Sequence, residues 1–417
     1  MRKLLVSAYG CEPNKGSEQG VGWHWVLEMA KTEELWVITR SNNRQGIESG
    51  LPPEFAGRAH FIYYDLPERL RWFKRKEKGL YLYYALWQWG AYRRAKQLAN
   101  EIRFDYCLHL TFGSMWMPTF MYKLPIPFIW GPVGGGESVP FRFIRTLPLR
   151  GRITQYARRM LIRGAALNPL FASPARAARA IIARTDDSKA AFPLKYRHKV
   201  RVMLETGMSE DVLQRYQASV TRSSDTNLHL VYVGRLVAIK NVATAIRAFA
   251  SLPNGYAHLC LTIVGDGPLL DELKELAQQL GVIDRVCFVG TVSQEEAIRT
   301  LRLSHICLFP SLKEGGTWSL MEAMAVGLPV ICLDTSGMHI ITDESCAIRI
   351  PVTTPAEATL KMSEAIKLLA DSPALRKKMG DSGRLRISEF FSWSSKGLFI
   401  QELLAELDGQ SSARGIS

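Results

Sequence analysis

The stretch FPSLKEGGTWSLMEAMAVGLPVI, residues 309–331, limits the folds open to this chain more than any other. The run His305-Ile306-Cys307-Leu308-Phe309 reads as a buried strand that turns at Pro310-Ser311. Glu314 follows, then Gly315 and Gly316, then Thr317, a residue type that caps helices. A helix from Trp318 to Val326 carries Glu322 and stops at Gly327, and Leu328-Pro329 leads into a second apolar strand, Val330 to Leu333. Strand, glycine loop, helix, strand is the repeating unit of a parallel sheet covered by helices.

The same stretch carries chemistry. Ligands of open parallel sheets sit beyond the carboxyl ends of the strands. Gly315 and Gly316 let backbone approach a ligand closely, and the outward amides of the helix that begins at Trp318 suit an anion such as a diphosphate. Glu314 and Glu322, with seven residues between them, can accept hydrogen bonds from hydroxyls on either side of that diphosphate, which describes a nucleotide sugar. Taken singly, each glutamate also reads as an ordinary solvated acid.

Alternation of strand-like and helix-like runs extends this pattern over the chain. In the first half, strands are expected at Lys3–Tyr9, Leu35–Thr39, His60–Tyr64, Tyr106–Leu110, Phe128–Trp130, Ala180–Ala183 and Val200–Met203, with helices near Val21–Lys31 and Leu80–Glu101. A boundary falls near Glu205-Thr206-Gly207, and the alternation restarts with strands at Leu228–Tyr232, His258–Val264 and Val286–Val289 and helices at Val242–Ser251, Leu269–Leu280 and Gln294–Leu303. A chain of 417 residues, 47% hydrophobic, can bury two cores. The expected division is residues 1–206 and 207–386, with a last helix at about 387–408 and a polar, disordered tail at 409–417.

The spacing of Glu314 and Glu322 in EGGTWSLMEAMAVGLPV resembles the signature of the retaining nucleotide-sugar glycosyltransferases of family 4 (glycosyltransferase group 1). Val231-Tyr232-Val233-Gly234-Arg235 with Lys240, and Val264-Gly265-Asp266-Gly267-Pro268, agree in order and distance. The resemblance implies an α/β GT-B fold: two Rossmann-like parallel-sheet domains facing each other across a cleft, with the last helix crossing back to the first. The first domain would take the acceptor and the second the nucleotide-sugar donor.

It also implies a catalytic set of Glu314, Arg235, Lys240 and His109, and a donor-binding set of Gly16, Gly315, Gly316, Thr317, Trp318 and Glu322. Arg235 and Lys240, cations across a strand-to-helix turn, would stabilise the leaving diphosphate in place of a metal. Relatives often have Gly after this Lys, where this chain has Asn241. The turn Gly265-Asp266-Gly267-Pro268 reads as a family marker more than a contact. Gly16 opens the loop Gly16-Ser-Glu-Gln-Gly-Val-Gly22, which has a superficial likeness to a dinucleotide fingerprint without its G-x-G-x-x-G spacing. Relatives often carry His-x-His where this chain has His109-Leu110-Thr111, so Thr111 shares the candidacy; a structural histidine is the alternative. The run Trp130-Gly-Pro-Val-Gly-Gly-Gly-Glu137 suggests a flexible loop touching acceptor, or an ordinary loop.

The expected activity is transfer of a hexosyl group from a UDP- or GDP-linked sugar to a hydroxyl acceptor, probed against two alternatives on the same fold: a sugar-nucleotide epimerase and a non-catalytic nucleotide-sugar-binding subunit. No cofactor is expected, and no Asp-x-Asp or His/Cys cluster argues for a metal.

Charge suggests where the chain works. Residues 1–205 hold 33 Lys/Arg against 16 Asp/Glu, and residues 206–417 hold 20 against 23, so the net +14 comes entirely from the first half. It concentrates in Arg69–Lys78, Arg93-Arg94 and Phe141–Arg163, where seven arginines meet no acid. Aromatic residues interleave with these blocks, notably Trp72, Phe73, Tyr81, Tyr83, Tyr84, Trp87, Trp89 and Tyr156, a pairing that suits an anionic membrane surface. A solvated basic face over a core helix is the alternative, and no nucleic-acid motif accompanies the charge, so no nucleic-acid partner is expected. No apolar run approaches the roughly 18 residues of a membrane span. The charged N-terminus enters a strand at once, unlike a signal peptide, and seven single cysteines read as buried free thiols. The expected location is the cytoplasm, peripheral on the inner face of the plasma membrane, with a glycan or lipid-linked acceptor.

Overall fold

A computed structural model describes residues 1–70, 79–217 and 228–414. Most of the basic block Arg69–Lys78, with Trp72 and Phe73, therefore lies outside the described residues, as do residues 415–417 of the expected tail.

Two compact units are present. The first is built on a seven-stranded sheet of order β3-β2-β1-β4-β5-β6-β7, all pairs parallel. Its strands are β1 (Lys3–Ser7), β2 (Glu34–Arg40), β3 (Ala59–Tyr64), β4 (Tyr106–His109), β5 (Phe128–Val133), β6 (Ala180–Ala183) and β7 (Val200–Val202). The second is built on a six-stranded parallel sheet of order β10-β9-β8-β11-β12-β13. Its strands are β8 (His229–Val233), β9 (Cys260–Val264), β10 (Val286–Gly290), β11 (Ile306–Phe309), β12 (Val330–Leu333) and β13 (Ala347–Ile350). The central strands β4, β5, β11 and β12 are buried at every residue, because helices cover both faces of such sheets. That is why they read as unbroken apolar runs rather than alternating ones.

Local chemistry sets the helix limits. Ser293 and Glu296 form a reciprocal capping box at the start of Gln294–Leu303, and Thr354 caps Pro355–Asp371 with proline in its first turn. The helix Trp318–Ala325 ends where expected: Gly327 at φ +79° returns its amide to Met324, and Leu328 returns its amide to Ala323.

The division of the chain departs from the expectation in three places. The first unit comprises Met1–Gly136, Leu161–Gly207 and Trp393–Ser417, and the second Glu137–Met160 and Met208–Ser392. Residues 137–160 leave the first unit because Val139, Phe143, Ile144 and Leu147 complete the second unit's core beside Leu230, Ile246 and Ile366. Burying Phe143 and Ile144 is worth about 2–3 kcal/mol each. The last helix runs Trp393–Arg414, starting and ending about six residues later than expected, so residues 409–414 are helical rather than a disordered tail. It packs on the helix Ser17–Ala30, with Lys396 wholly buried and its Nζ 3.3 Å from Met203 Sδ.

The helix Leu80–Glu101 puts Tyr83, Tyr84 and Trp87 into the first core and leaves Tyr81 and Trp89 exposed. Much of the aromatic pattern near the basic block is therefore packing. Cys11, Cys107, Cys307, Cys332 and Cys346 are buried free thiols, Cys260 is half-buried, and Cys287 is exposed. Among the described residues no helix is long and apolar enough to cross a membrane.

Candidate functional site

In the second sheet the winding direction reverses between β8 and β11, and the segments leaving these two strands carry the expected cations and the first glutamate. Such a reversal opens a crevice at the strand ends. After β8, Arg235 is exposed, and its carbonyl accepts a 3.1 Å bond from the Tyr232 hydroxyl. The Asp266 carbonyl accepts from Leu236 N at 2.9 Å, and Leu269 N donates to Leu236 O at 3.2 Å. The Gly265–Pro268 turn thus braces the Arg235 loop through backbone.

A short turn, Ala238–Lys240, follows, and Asn241 takes left-handed backbone at φ +55°. Asn tolerates this conformation nearly as well as Gly, which accounts for its place after Lys240. Its Nδ2 donates to Pro310 O at 3.2 Å, and Leu312 N donates to Ile239 O at 2.9 Å, so the two loops are tied together.

On that frame Lys240 Nζ donates to Glu314 Oε1 at 2.5 Å, with side chains 16% and 12% exposed. Two charges this shielded attract strongly, yet both keep a solvent-facing side through which a ligand's charge can compete. Gly337 N holds the Glu314 carbonyl at 3.1 Å. Thr317 is the N-cap residue of Trp318–Ala325, but its hydroxyl lies 3.3 Å from Ser319 Oγ and makes no cap bond. The expected cap is therefore corrected in part: the position is right, but the Thr317 side chain does not make the cap bond.

Glu322 is buried, and its Oε1 accepts from Gln294 Nε2 at 2.8 Å. Burial pushes its carboxyl above the usual range, opposed by that bond. Gln294 also lies 3.4 Å from the Tyr216 hydroxyl, which burial and the Glu322 charge push up to about 12. Burial, with Arg158 nearby, pushes the Lys313 ammonium down to about 8, opposed by Glu137 and Glu314. Gln294, Tyr216 and Lys313 escaped the sequence reading. Only Lys313, next to Glu314, carried a signal that could have exposed it.

The remaining candidates are in the first unit. Gly16 is the N-cap of Ser17–Ala30 with open space where a Cβ would stand. Two residues on, Glu18 accepts from the amides of Phe112 and Gly113 and lies 3.7 Å from Arg184, which also pairs with Glu205 at 3.3 Å. The run after Trp130 is not a flexible loop. A Cβ on Gly134, Gly135 or Gly136 would lie 2.7, 2.8 or 2.5 Å from Arg184, Trp116 or the Asp187 carbonyl, so these glycines are close-packing positions. Glu137 is buried, its carboxylate 3.8 Å from Arg158, whose Nε donates to the Glu137 carbonyl at 2.7 Å.

His109 closes β4 at 2% exposure, its Nε2 3.3 Å from the Tyr84 hydroxyl, and Thr111 is fully buried with its Oγ1 accepting from Gly10 N at 3.0 Å. Both are covered by the core, the setting of the structural alternative named for His109. Burial pushes His109 down to about 4. The unfolded chain binds a proton near pH 6.5 that the folded chain refuses until about pH 4, so stability is complete above 6.5 and lost progressively below it. Acid unfolding should show up to about 3 kcal/mol lost over that window, and His109→Gln should flatten the loss. Urea midpoints measured at several pH values test this.

Comparison with known proteins agrees with this architecture. Residues 215–386 match the sequence profile of Glycosyl transferases group 1. Alpha-D-kanosaminyltransferase of Streptomyces kanamyceticus is 25% identical over 230 residues, covering 53% of this chain and 59% of that one. The MMP alpha-(1->4)-mannosyltransferase of Mycolicibacterium hassiacum is 28% identical over 169 residues, covering 39% and 40%. The chain thus spans about half the length of the curated relatives it matches. The crystal structure of Anabaena Alr3699/HepE in complex with UDP superposes with a TM-score of 0.60 at 16% identity, covering 97% of this chain and 100% of that one. Such a likeness establishes the GT-B fold, and the segment that carries Arg235, Lys240, Glu314 and Glu322 is similar to the glycosyl transferases group 1 family.

Proposed function

We propose that this chain is a retaining, metal-independent hexosyltransferase that uses a UDP- or GDP-linked sugar and a hydroxyl acceptor. The observation that carries the reading is the Lys240–Glu314 pair at the reversal point of the second sheet, beside a helix start that Thr317 does not cap. A diphosphate placed there meets Arg235, Lys240 and the amides that follow Gly316. Glu314, released from Lys240, accepts hydroxyls of the transferred sugar. Glu322, steadied by Gln294, accepts the ribose hydroxyls.

Reaction then breaks the bond between the anomeric carbon and the diphosphate oxygen and forms the bond to the acceptor oxygen on the same face. The acceptor's proton passes to the departing phosphate oxygen, so the products are glycoside and nucleoside diphosphate. Cations aimed at the developing charge stabilise the transition state more than the ground state. Inverted anomeric configuration in the product, read by NMR, would overturn the front-face route. A lipid-linked saccharide of cell-surface polysaccharide synthesis is the acceptor class favoured by the arginine-rich segment 141–163, which would hold the protein to an anionic membrane.

The test of the donor site is the thermal midpoint against UDP, GDP, ADP and their sugar conjugates, with EDTA present. A ligand at a hundred times its Kd stabilises the folded state by about 2.7 kcal/mol. One responding base family is the expected result. Silence from all would favour the binding-subunit reading of some other ligand, and turnover of donor without acceptor would favour the epimerase.

A further inference from the structure

The helix Leu149–Arg163, which belongs to the second unit as far as Met160, turns a row of apolar side chains outward. Some of its polar groups reach back to the segment before it: Gln155 is buried with its Oε1 3.5 Å from Val139 N, Arg159 donates to Val139 O at 3.3 Å, and the exposed Arg152 donates from Nε to Leu147 O at 2.7 Å. Its apolar residues face outward. Leu149, Ile153, Tyr156 and Met160 recur at intervals of four, three and four, which is one stripe of an α-helix, and are 71%, 61%, 42% and 66% exposed. Phe141, 57% exposed, lies against Tyr156 with ring centres 6.2 Å apart and extends the stripe beyond the helix. Water-soluble surfaces carry scattered apolar residues, whereas a continuous apolar row marks something that covers it.

Charge identifies the cover. Arg142, Arg145, Arg150, Arg152 and Arg163 are exposed around the stripe, and the segment from Phe141 to Arg163 holds no acid. A second copy of the chain meeting this face about a two-fold axis would set arginines against arginines. An anionic bilayer offers both missing partners: acyl chains for the row and phosphates for the arginines.

We propose that Leu149–Arg163 lies in the plane of an anionic membrane, with Phe141, Leu149, Ile153, Tyr156 and Met160 inserted at the level of the headgroups. This rests on the membrane reading of the proposed function and gives it a surface. Because the polar side of the helix holds the 137–147 strand of chain, whose apolar residues fill the second core, docking would grip the donor-binding unit directly.

The experiment is co-sedimentation of the full chain with phosphatidylcholine vesicles, with and without phosphatidylglycerol. The variants are Leu149→Ser/Ile153→Ser/Met160→Ser and Arg142→Ala/Arg145→Ala/Arg150→Ala. The wild type should bind only the anionic vesicles. The serine variant should lose at least about tenfold in partition, and the arginine variant about a hundredfold at low salt. All these residues are exposed, so thermal midpoints and the nucleotide-induced shift should stay at wild-type values, which checks folding and the donor reading apart from docking. Wild-type partition in the serine variant would overturn the insertion while leaving a membrane role to another basic surface. No binding by the wild type would overturn both. A wild-type dimer that the serine variant turns into a monomer without lipid, read by light scattering, would assign the stripe to a second copy and overturn the proposal.

Discussion

Lys240→Ala is expected to lower kcat/KM by about a hundred- to a thousandfold, the usual loss when one well-placed donor to a developing anion is removed. The ammonium is the cation that the fold holds most firmly at the reversal of the second sheet: its turn is locked by Asn241 and by the Leu312–Ile239 backbone bond. It pairs with Glu314, and on the proposed reading a donor's phosphate would compete for it, since both groups keep partial access to solvent. Lys240→Arg should recover little, because a planar fork on this short turn cannot reproduce a compact charge 2.5 Å from Glu314 Oε1. Stability should fall by about 1–3 kcal/mol, since the pair is mostly shielded and the Glu314 carboxylate loses its partner. Steady-state kinetics together with urea unfolding separate the two effects. A loss below about tenfold would remove Lys240 from the transition state.

Gly337→Ala should damage the same site without touching a ligand. A Cβ there would stand 1.8 Å from the Gly315 carbonyl oxygen and 3.3 Å from that of Glu314. Both neighbours are backbone, so the glycine loop itself must move by more than an ångström. The amide of Gly337 also holds the Glu314 carbonyl, and any shift carries the Glu314 side chain with it. We expect about 2–3 kcal/mol of lost stability and at least a tenfold rise in nucleotide Kd, or about 1.4 kcal/mol. Gly255→Ala, where nothing lies within 4 Å of the new Cβ, is the control and should change stability by less than about 0.5 kcal/mol. Denaturant midpoints and nucleotide titrations of the pair decide it. Wild-type affinity in Gly337→Ala would mean that the loop accommodates the methyl group and that its placement is not tight.

Some of this was written locally. Residue type and period decide whether a segment is strand or helix, so the strands from Lys3 to Val202 and from His229 to Leu333 fall where their apolar runs lie. A glycine after a helix fixes its end by its own conformational freedom, as at Gly327. The sequence named Lys240 and Glu314 as members of one site but did not pair them; the structure does. Each follows a parallel strand, and the strand order that sets β8 beside β11 brings them together.

Other features depend on atoms far away in the chain, and no local pattern reports them. His109 and Thr111 have the residue types of a sugar contact, but Tyr84 and Gly10, drawn from other elements, bury them. Gly134, Gly135 and Gly136 look like a hinge in sequence, yet Arg184, Trp116 and Asp187 occupy the space that makes them hinge-like. Residues 137–160 precede the apparent boundary at 205–207 by about 45 residues or more, and join the second unit because its core has room for Phe143 and Ile144. In Leu149–Arg163 the sequence determined a helix-length mixture of arginine and apolar side chains, and the tertiary structure decided which side faces out. A helix turns its apolar stripe inward when a core is there to receive it, and here the inward face meets the carbonyls and amides of residues 137–147, which only polar side chains can satisfy.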